Sequence, residues 1–105
     1  MNDGSDELIF GGQRLLANLQ SAKKRIRQNI KRRERNRRYR SAARTQIRRS
    51  RELIAQGRIE EAEEAVRLAT STLDKAARKG VIHPNNAARR KSRIMSQLSE
   101  ARQQA

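Results

Sequence analysis

The run Lys31-Arg32-Arg33-Glu34-Arg35-Asn36-Arg37-Arg38 limits what this chain can fold into more than any other segment. It lies in a stretch without Pro or Gly and rich in helix formers, which predicts helix, and at about 100° per residue its cations are spread around the whole circumference. No face remains for a protein core. Across residues 16–51, fifteen of thirty-six positions are Lys or Arg, and within 17–51 the single acid is Glu34. A merely solvated helix intersperses Glu with Lys, whereas Lys23/Arg27, Arg27/Lys31 and Lys31/Arg35 repel at i,i+4 spacing. A sequence that tolerates such repulsion predicts a partner carrying negative charge, and a polyphosphate gains most from these cations.

The rest of the composition points the same way. A net charge of +15 on 105 residues, from 26 Lys+Arg against 11 Asp+Glu, lies outside the range of ordinary soluble enzymes. At 34% hydrophobic, with Phe10 and Tyr39 as the aromatics, the chain can build one small core and one domain, and its folding is marginal until a partner neutralises the charge. Cysteine is absent, which removes disulfides and thiolate metal sites and fits a reducing cytoplasm. The first residues are acidic where a secretory signal is basic, and no run approaches the ~20 apolar residues of a membrane span. A soluble cytoplasmic protein is expected.

Residues 1–15 carry three acids and Gly4, Gly11 and Gly12 without a sustained period, which predicts a disordered or weakly structured extension. Residues 18–56 contain neither Pro nor Gly and predict one helix on the order of 60 Å long. Its apolar positions form two groups. Leu19, Ala22, Ile26 and Ile30 make a short stripe, the cationic run interrupts, and Tyr39, Ala43, Ile47, Ser50 and Ile54 resume it beside Ala42 and Leu53. Only the second group has the neighbours to be core, so the first half is expected to project beyond the bundle with its stripe resting on a partner surface.

Gly57 predicts the end of this helix, and Glu60, Glu61, Glu63 and Glu64 crowd the start of the next, where acids complement the helix dipole. Helix two is expected over about 59–79. Ile59, Ala62, Val66, Ala69, Leu73 and Ala76 alternate steps of three and four, and Gly80 follows as a C-terminal stop. Val81 and Ile82 are expected to tuck the turn against the core. Pro84 suits the first position of helix three, about 84–101, with His83 as N-cap. Ala87, Ala88, Ile94, Met95, Leu98 and Ala101 are assigned to its inner side, and Arg89, Arg90, Lys91 and Arg93 to the outer. Short connections make consecutive helices antiparallel. The fold class is therefore all-α: a three-helix bundle with a long, basic first helix projecting beyond it.

Charge also orients the bundle. Residues 59–74 hold five acids and one base, Arg67, whereas helices one and three are basic. Helices one and three are expected to face nucleic acid and helix two to face away, although acids at 60–64 also serve the N-terminus of helix two. Sequence-specific DNA reading is disfavoured, because the basic helix breaks at Gly57 before any zipper and no zinc ligands are present. Common single-strand RNA readers, which stack bases on exposed aromatics, fit poorly, because this chain has one Tyr in its helical part and Tyr39 is expected at the core or its edge. A membrane-active helix needs large apolar anchors opposite its charges. Catalysis finds no base–nucleophile pair around His83, the lone histidine, and no cofactor or small-molecule substrate is implied. Asn85 and Asn86, in the first turn of helix three, either cap locally or meet a phosphate. What remains is folded RNA recognised by shape and phosphate geometry, with a non-specific condenser of nucleic acid as the alternative.

Particular segments then carry a resemblance. Ala17-Asn18-Leu19-Gln20-Ser21-Ala22-Lys23-Lys24-Arg25-Ile26-Arg27, Arg35-Asn36-Arg37, Leu73-Asp74-Lys75-Ala76-Ala77-Arg78-Lys79-Gly80-Val81-Ile82-His83, and residues 85–93 closely resemble the bacterial small-subunit ribosomal protein family number twenty, over roughly residues 16–98. The resemblance implies a three-helix bundle that binds small-subunit ribosomal RNA directly and early in assembly, in the 5′ domain and near the long penultimate helix. It also implies RNA contacts at Ser21, Lys23, Lys24, Arg25 and Arg27, and at Lys75, Lys79, His83, Asn86, Arg89, Arg90 and Lys91. Charge alone adds Lys31, Arg32, Arg33, Arg35, Arg37 and Arg38.

Two departures from the family pattern stand out. Leu16 occupies the slot of the family's initiator methionine, so residues 1–15 are expected to be an artefact of a start site placed too early; an intact mass of the native protein that includes them contradicts this. Pro84 stands where the family often has Lys, exchanging a phosphate contact for a firmer helix start.

Overall fold

The structure is a computed structural model that describes the backbone of residues 4–105 and the side chains of residues 12–105. It is all-α, as expected, with α1 at Gly4–Ala55, α2 at Ile59–Arg78 and α3 at Pro84–Gln104. The chain divides into two compact units, residues 1–34 and residues 35–105. Residues 1–3 of the expected extension lie outside the described residues.

The rest of that extension differs from expectation, since α1 is already helical at Gly4 rather than near residue 18. Propagating a helix adds one hydrogen bond per residue fixed, and residues 4–15 contain no proline to stop it. The glycines at 11 and 12 only weaken it, by about 1 kcal/mol each. At the other end, helix three continues to Gln104 instead of stopping near 101, because nothing in Arg102-Gln103-Gln104 breaks it.

Both interhelical stops are glycine-dependent, as the sequence predicts. Gly57 and Gly80 each adopt φ +74°, a left-handed conformation that side chains resist. At the first turn the Gly57 N–H donates to Ile54 O at 3.1 Å and the Arg58 N–H to Leu53 O at 3.0 Å. At the second the Gly80 N–H donates to Ala77 O at 3.1 Å and the Val81 N–H to Ala76 O at 2.9 Å. These paired bonds form Schellman caps that satisfy the last carbonyls of α1 and α2. Val81, just past the second cap, is buried against the bundle. His83 caps α3: its Nδ1 accepts from the Asn85 N–H at 3.1 Å, with Pro84 at the first helical position.

The core lies within the second unit. Ala43, Ile47 and Leu53 of α1 pack with Ala62, Val66, Ala69 and Leu73 of α2 and Ala87, Ile94 and Leu98 of α3. Among the described residues, five of the twelve buried apolar ones are alanine, so the helices gain little buried hydrocarbon per contact and stability rests heavily on Leu73 and Ile94, both almost fully enclosed. Ser50 is also fully buried, and its Oγ donates to Gln46 O at 2.8 Å, which removes the penalty of a polar group in the core. Asp74–Lys91 and Glu63–Arg102 pair α2 with α3 in reversed order, so these helices run antiparallel.

Two assignments on helix three are corrected. Ala88 and Met95 are exposed rather than inward, Met95 by 53%. The buried line runs through Ala87, Ile94 and Leu98, and each of the two misplaced residues lies one position past it, about 100° around the helix.

Candidate nucleic-acid interface

In the first unit every described residue is exposed, from Gly12 through Glu34, which leaves Ser21, Lys23, Lys24, Arg25, Arg27, Lys31, Arg32 and Arg33 open to solvent. Leu19, Ile26 and Ile30 are equally uncovered, at 49%, 59% and 48%. The stripe seen in the sequence is therefore present as a set of side chains with no protein cover. Arg35, Arg37 and Arg38 at the start of the second unit are exposed too. Among the described residues the ion pairs are Arg58–Glu61, Lys91–Asp74 and Arg102–Glu63, so none of these cations is neutralised.

A second set of sequence-predicted residues gathers where α2 turns into α3. Lys75 and Lys79 are exposed on the last turns of α2, and the Lys79 ammonium lies 6.0 Å from the centre of the Tyr39 ring. That distance is at the outer limit of a cation–π contact. Tyr39 is half-buried, in keeping with a core-edge role, and the neighbouring Arg40 Nη2 donates to Val81 O at 3.2 Å. His83 is exposed while its Nδ1 accepts the capping bond, which places the proton of the neutral ring on Nε2 as a free donor. Asn86 Oδ1 accepts from Arg89 Nη2 at 3.4 Å. Asn86 therefore steadies an arginine, and the Asn85 backbone N–H is taken by His83.

Lys91 differs from the other predicted contacts. Its ammonium donates to both oxygens of Asp74, at 2.9 and 3.2 Å, and ties α3 to α2. Being half-exposed, the pair contributes little stability, but it cancels the charge that a phosphate contact at Lys91 relies on.

Arg89 and Arg90 belong to a larger arrangement. They line an open groove of about 660 Å³ between α1 and α3, together with Arg44, Arg48, Arg51 and Arg93. Glu52 is the only acid in its lining, and Ile47 and Ala55 provide the apolar part. Arg44, Arg48, Arg51 and Arg93 were absent from the sequence-predicted set. Their spacing was a readable signal, since positions 44, 48 and 51 share one face of α1 and 89 and 93 share one face of α3. The α1/α2 groove is different in kind: Arg49 and Arg67 are there balanced by Glu61 and Glu64 beside Leu53 and Leu68.

This geometry suits polyanion binding. Guanidinium forks grip phosphates in bidentate fashion, and the all-round cations of α1 act as a charged rod. No described helix is long and apolar enough to cross a membrane.

Comparison with known proteins identifies relatives. The family model described as ribosomal protein S20 matches residues 17–99. The small ribosomal subunit protein bS20 of Thermobifida fusca is 50% identical over 88 residues, covering 84% of this chain and 96% of the relative. That of Dehalococcoides mccartyi (strain CBDB1) is 48% identical over 86 residues, covering 82% and 98%. That of Thermomicrobium roseum is 49% identical over 84 residues, covering 80% and 85%.

Proposed function

Because the chain belongs to the ribosomal protein S20 family, we propose that it is a structural, non-catalytic constituent of the small ribosomal subunit. On this reading it binds small-subunit ribosomal RNA directly and stabilises the RNA fold during assembly and translation, bound to ribosomes in the cytoplasm. The observation that carries the reading is the exposed cation set from Lys23 to Arg38, which surrounds α1 and has no ion-pair partner among the described residues.

The contacts are assigned to Ser21, Lys23, Lys24, Arg25, Arg27, Lys31, Arg32, Arg33, Arg35, Arg37 and Arg38 along α1, and to Lys75, Lys79, His83, Asn86, Arg89 and Arg90 at the α2–α3 turn and along α3. Lys91 joins them only by exchanging Asp74 for a phosphate. The RNA partner is the 5′ domain, with the region of the penultimate helix. The Leu19, Ala22, Ile26 and Ile30 stripe then rests on the wide, shallow minor groove of A-form RNA, which exposes ribose rather than charge.

The test is binding of the purified chain to 5′-domain RNA against an equal length of duplex DNA, titrated across salt. A preference for the RNA that survives high salt supports the reading. Equal binding that collapses with salt contradicts it and leaves a non-specific, histone-like polycation.

A further inference from the structure

The α1/α3 groove has a charge that neither the core nor the helix caps account for. Arg44, Arg48 and Arg51 form one wall and Arg89, Arg90 and Arg93 the other; with Glu52 subtracted, the lining carries five net positive charges. Among the described residues no ion pair offsets them. Packing six guanidiniums around one channel disfavours the free protein, and the neighbouring α1/α2 groove avoids it by placing Glu61 and Glu64 beside Arg49 and Arg67.

Shape narrows the ligand. From residue 44 to residue 55 the groove extends about 16 Å along α1, at about 1.5 Å per residue. A small anion reaches only two or three of its arginines, whereas a strand carrying one charge per nucleotide can follow all of them. Packed helices have axes about 8–10 Å apart, so the open channel between two of them matches the width of one sugar–phosphate backbone. Four residues of helix rise about 6 Å, close to one backbone repeat of a nucleic-acid strand, and this step separates Arg44 from Arg48 and Arg89 from Arg93. Ile47 and Ala55 present an apolar floor for ribose.

We infer that the α1/α3 groove seats the sugar–phosphate backbone of a single RNA strand, with α1 arginines on one side and α3 arginines on the other. The inference rests on the RNA-binding function proposed above and adds to it a site that is distinct from the residue 23–38 segment.

The test compares the full-length Arg48→Gln/Arg51→Gln/Arg93→Gln variant with an equal-charge control, Arg49→Gln/Arg58→Gln/Arg67→Gln, for binding to 5′-domain RNA across salt. Circular dichroism establishes that both remain helical. The groove variant is expected to lose about 10- to 100-fold in affinity at moderate salt and to flatten the log–log salt slope by about two, while the control stays within about twofold of wild type. Equal losses in both variants, or an unchanged slope in the groove variant, overturn the groove site while wild-type RNA preference keeps the broader function standing. Loss of RNA preference over duplex DNA in the wild type overturns both. A direct readout uses an oligouridylate of about twelve nucleotides, within the length that single-strand sites span. It should shift the Nε–Hε resonances of the six groove arginines ahead of Arg49 and Arg67, and uniform shifts across all of them contradict the proposal.

Discussion

Residues 12–35 and residues 43–54 belong to the same helix, yet they are built on opposite terms. The first stretch buries nothing: every residue is exposed, and its cations point in all directions. The second places Ala43, Ile47, Ser50 and Leu53 on one side and encloses them against α2 and α3. Helical geometry is thus maintained by two mechanisms, packing in one region and local propensity against like-charge repulsion in the other. Helix alone does not define a folded core. A region that buries nothing has only local propensity to hold its helix, so a ligand that neutralises its charge is expected to stabilise it.

The largest effect that can break this contrast is a cavity. Leu73→Ala removes a fully buried side chain and is expected to lower stability by about 3 kcal/mol, read by thermal unfolding, whereas Ile26→Ala is expected to change it by less than about 0.5 kcal/mol. Similar losses from the two substitutions break the contrast. Next comes the mirror experiment on binding. Replacing Lys31, Arg32, Arg33 and Arg35 with Gln should leave the melting temperature unchanged or raise it by relieving repulsion. The same variant should flatten the salt dependence of RNA affinity by a log–log slope of about three. A lowered melting temperature with unaltered salt dependence contradicts the division of roles.

Smaller effects sharpen the picture within the second unit. His83→Ala deletes the cap of α3 and is expected to cost about 1 kcal/mol, checked by chemical denaturation. Asp74→Ala should cost under about 1 kcal/mol because the pair is half-exposed, and it should modestly strengthen RNA binding by freeing Lys91. Weaker RNA binding by that variant indicates that Asp74 positions Lys91 for contact and does not merely neutralise it.

Much of the fold was legible because local chemistry and global packing agree. Gly57 and Gly80 adopt the left-handed stops that their positions predict, and His83-Pro84 starts α3 as capping rules require. The three-four stripe of α2 is buried from Ala62 to Ala76. Legibility failed where a signal was broad or long-range. Ala88 and Met95 widen the apolar side of α3, and periodicity alone does not say which edge of a wide face turns inward. The helix start at Gly4 was missed because glycine is read as a breaker, while a helix already nucleated tolerates it. Local charge runs and family motifs mark contacts within single segments. The groove arginines, split between α1 and α3, are joined only by tertiary packing, and the pairing of Lys91 with Asp74 is invisible for the same reason.

The most direct test of the central claim is amide hydrogen exchange along α1, measured residue by residue at moderate salt with and without 5′-domain RNA. Residues 12–35 are expected to exchange freely in the free protein and to become protected in the complex, while residues 43–54 are protected in both. Strong protection of residues 12–35 without RNA, or none with it, contradicts the account.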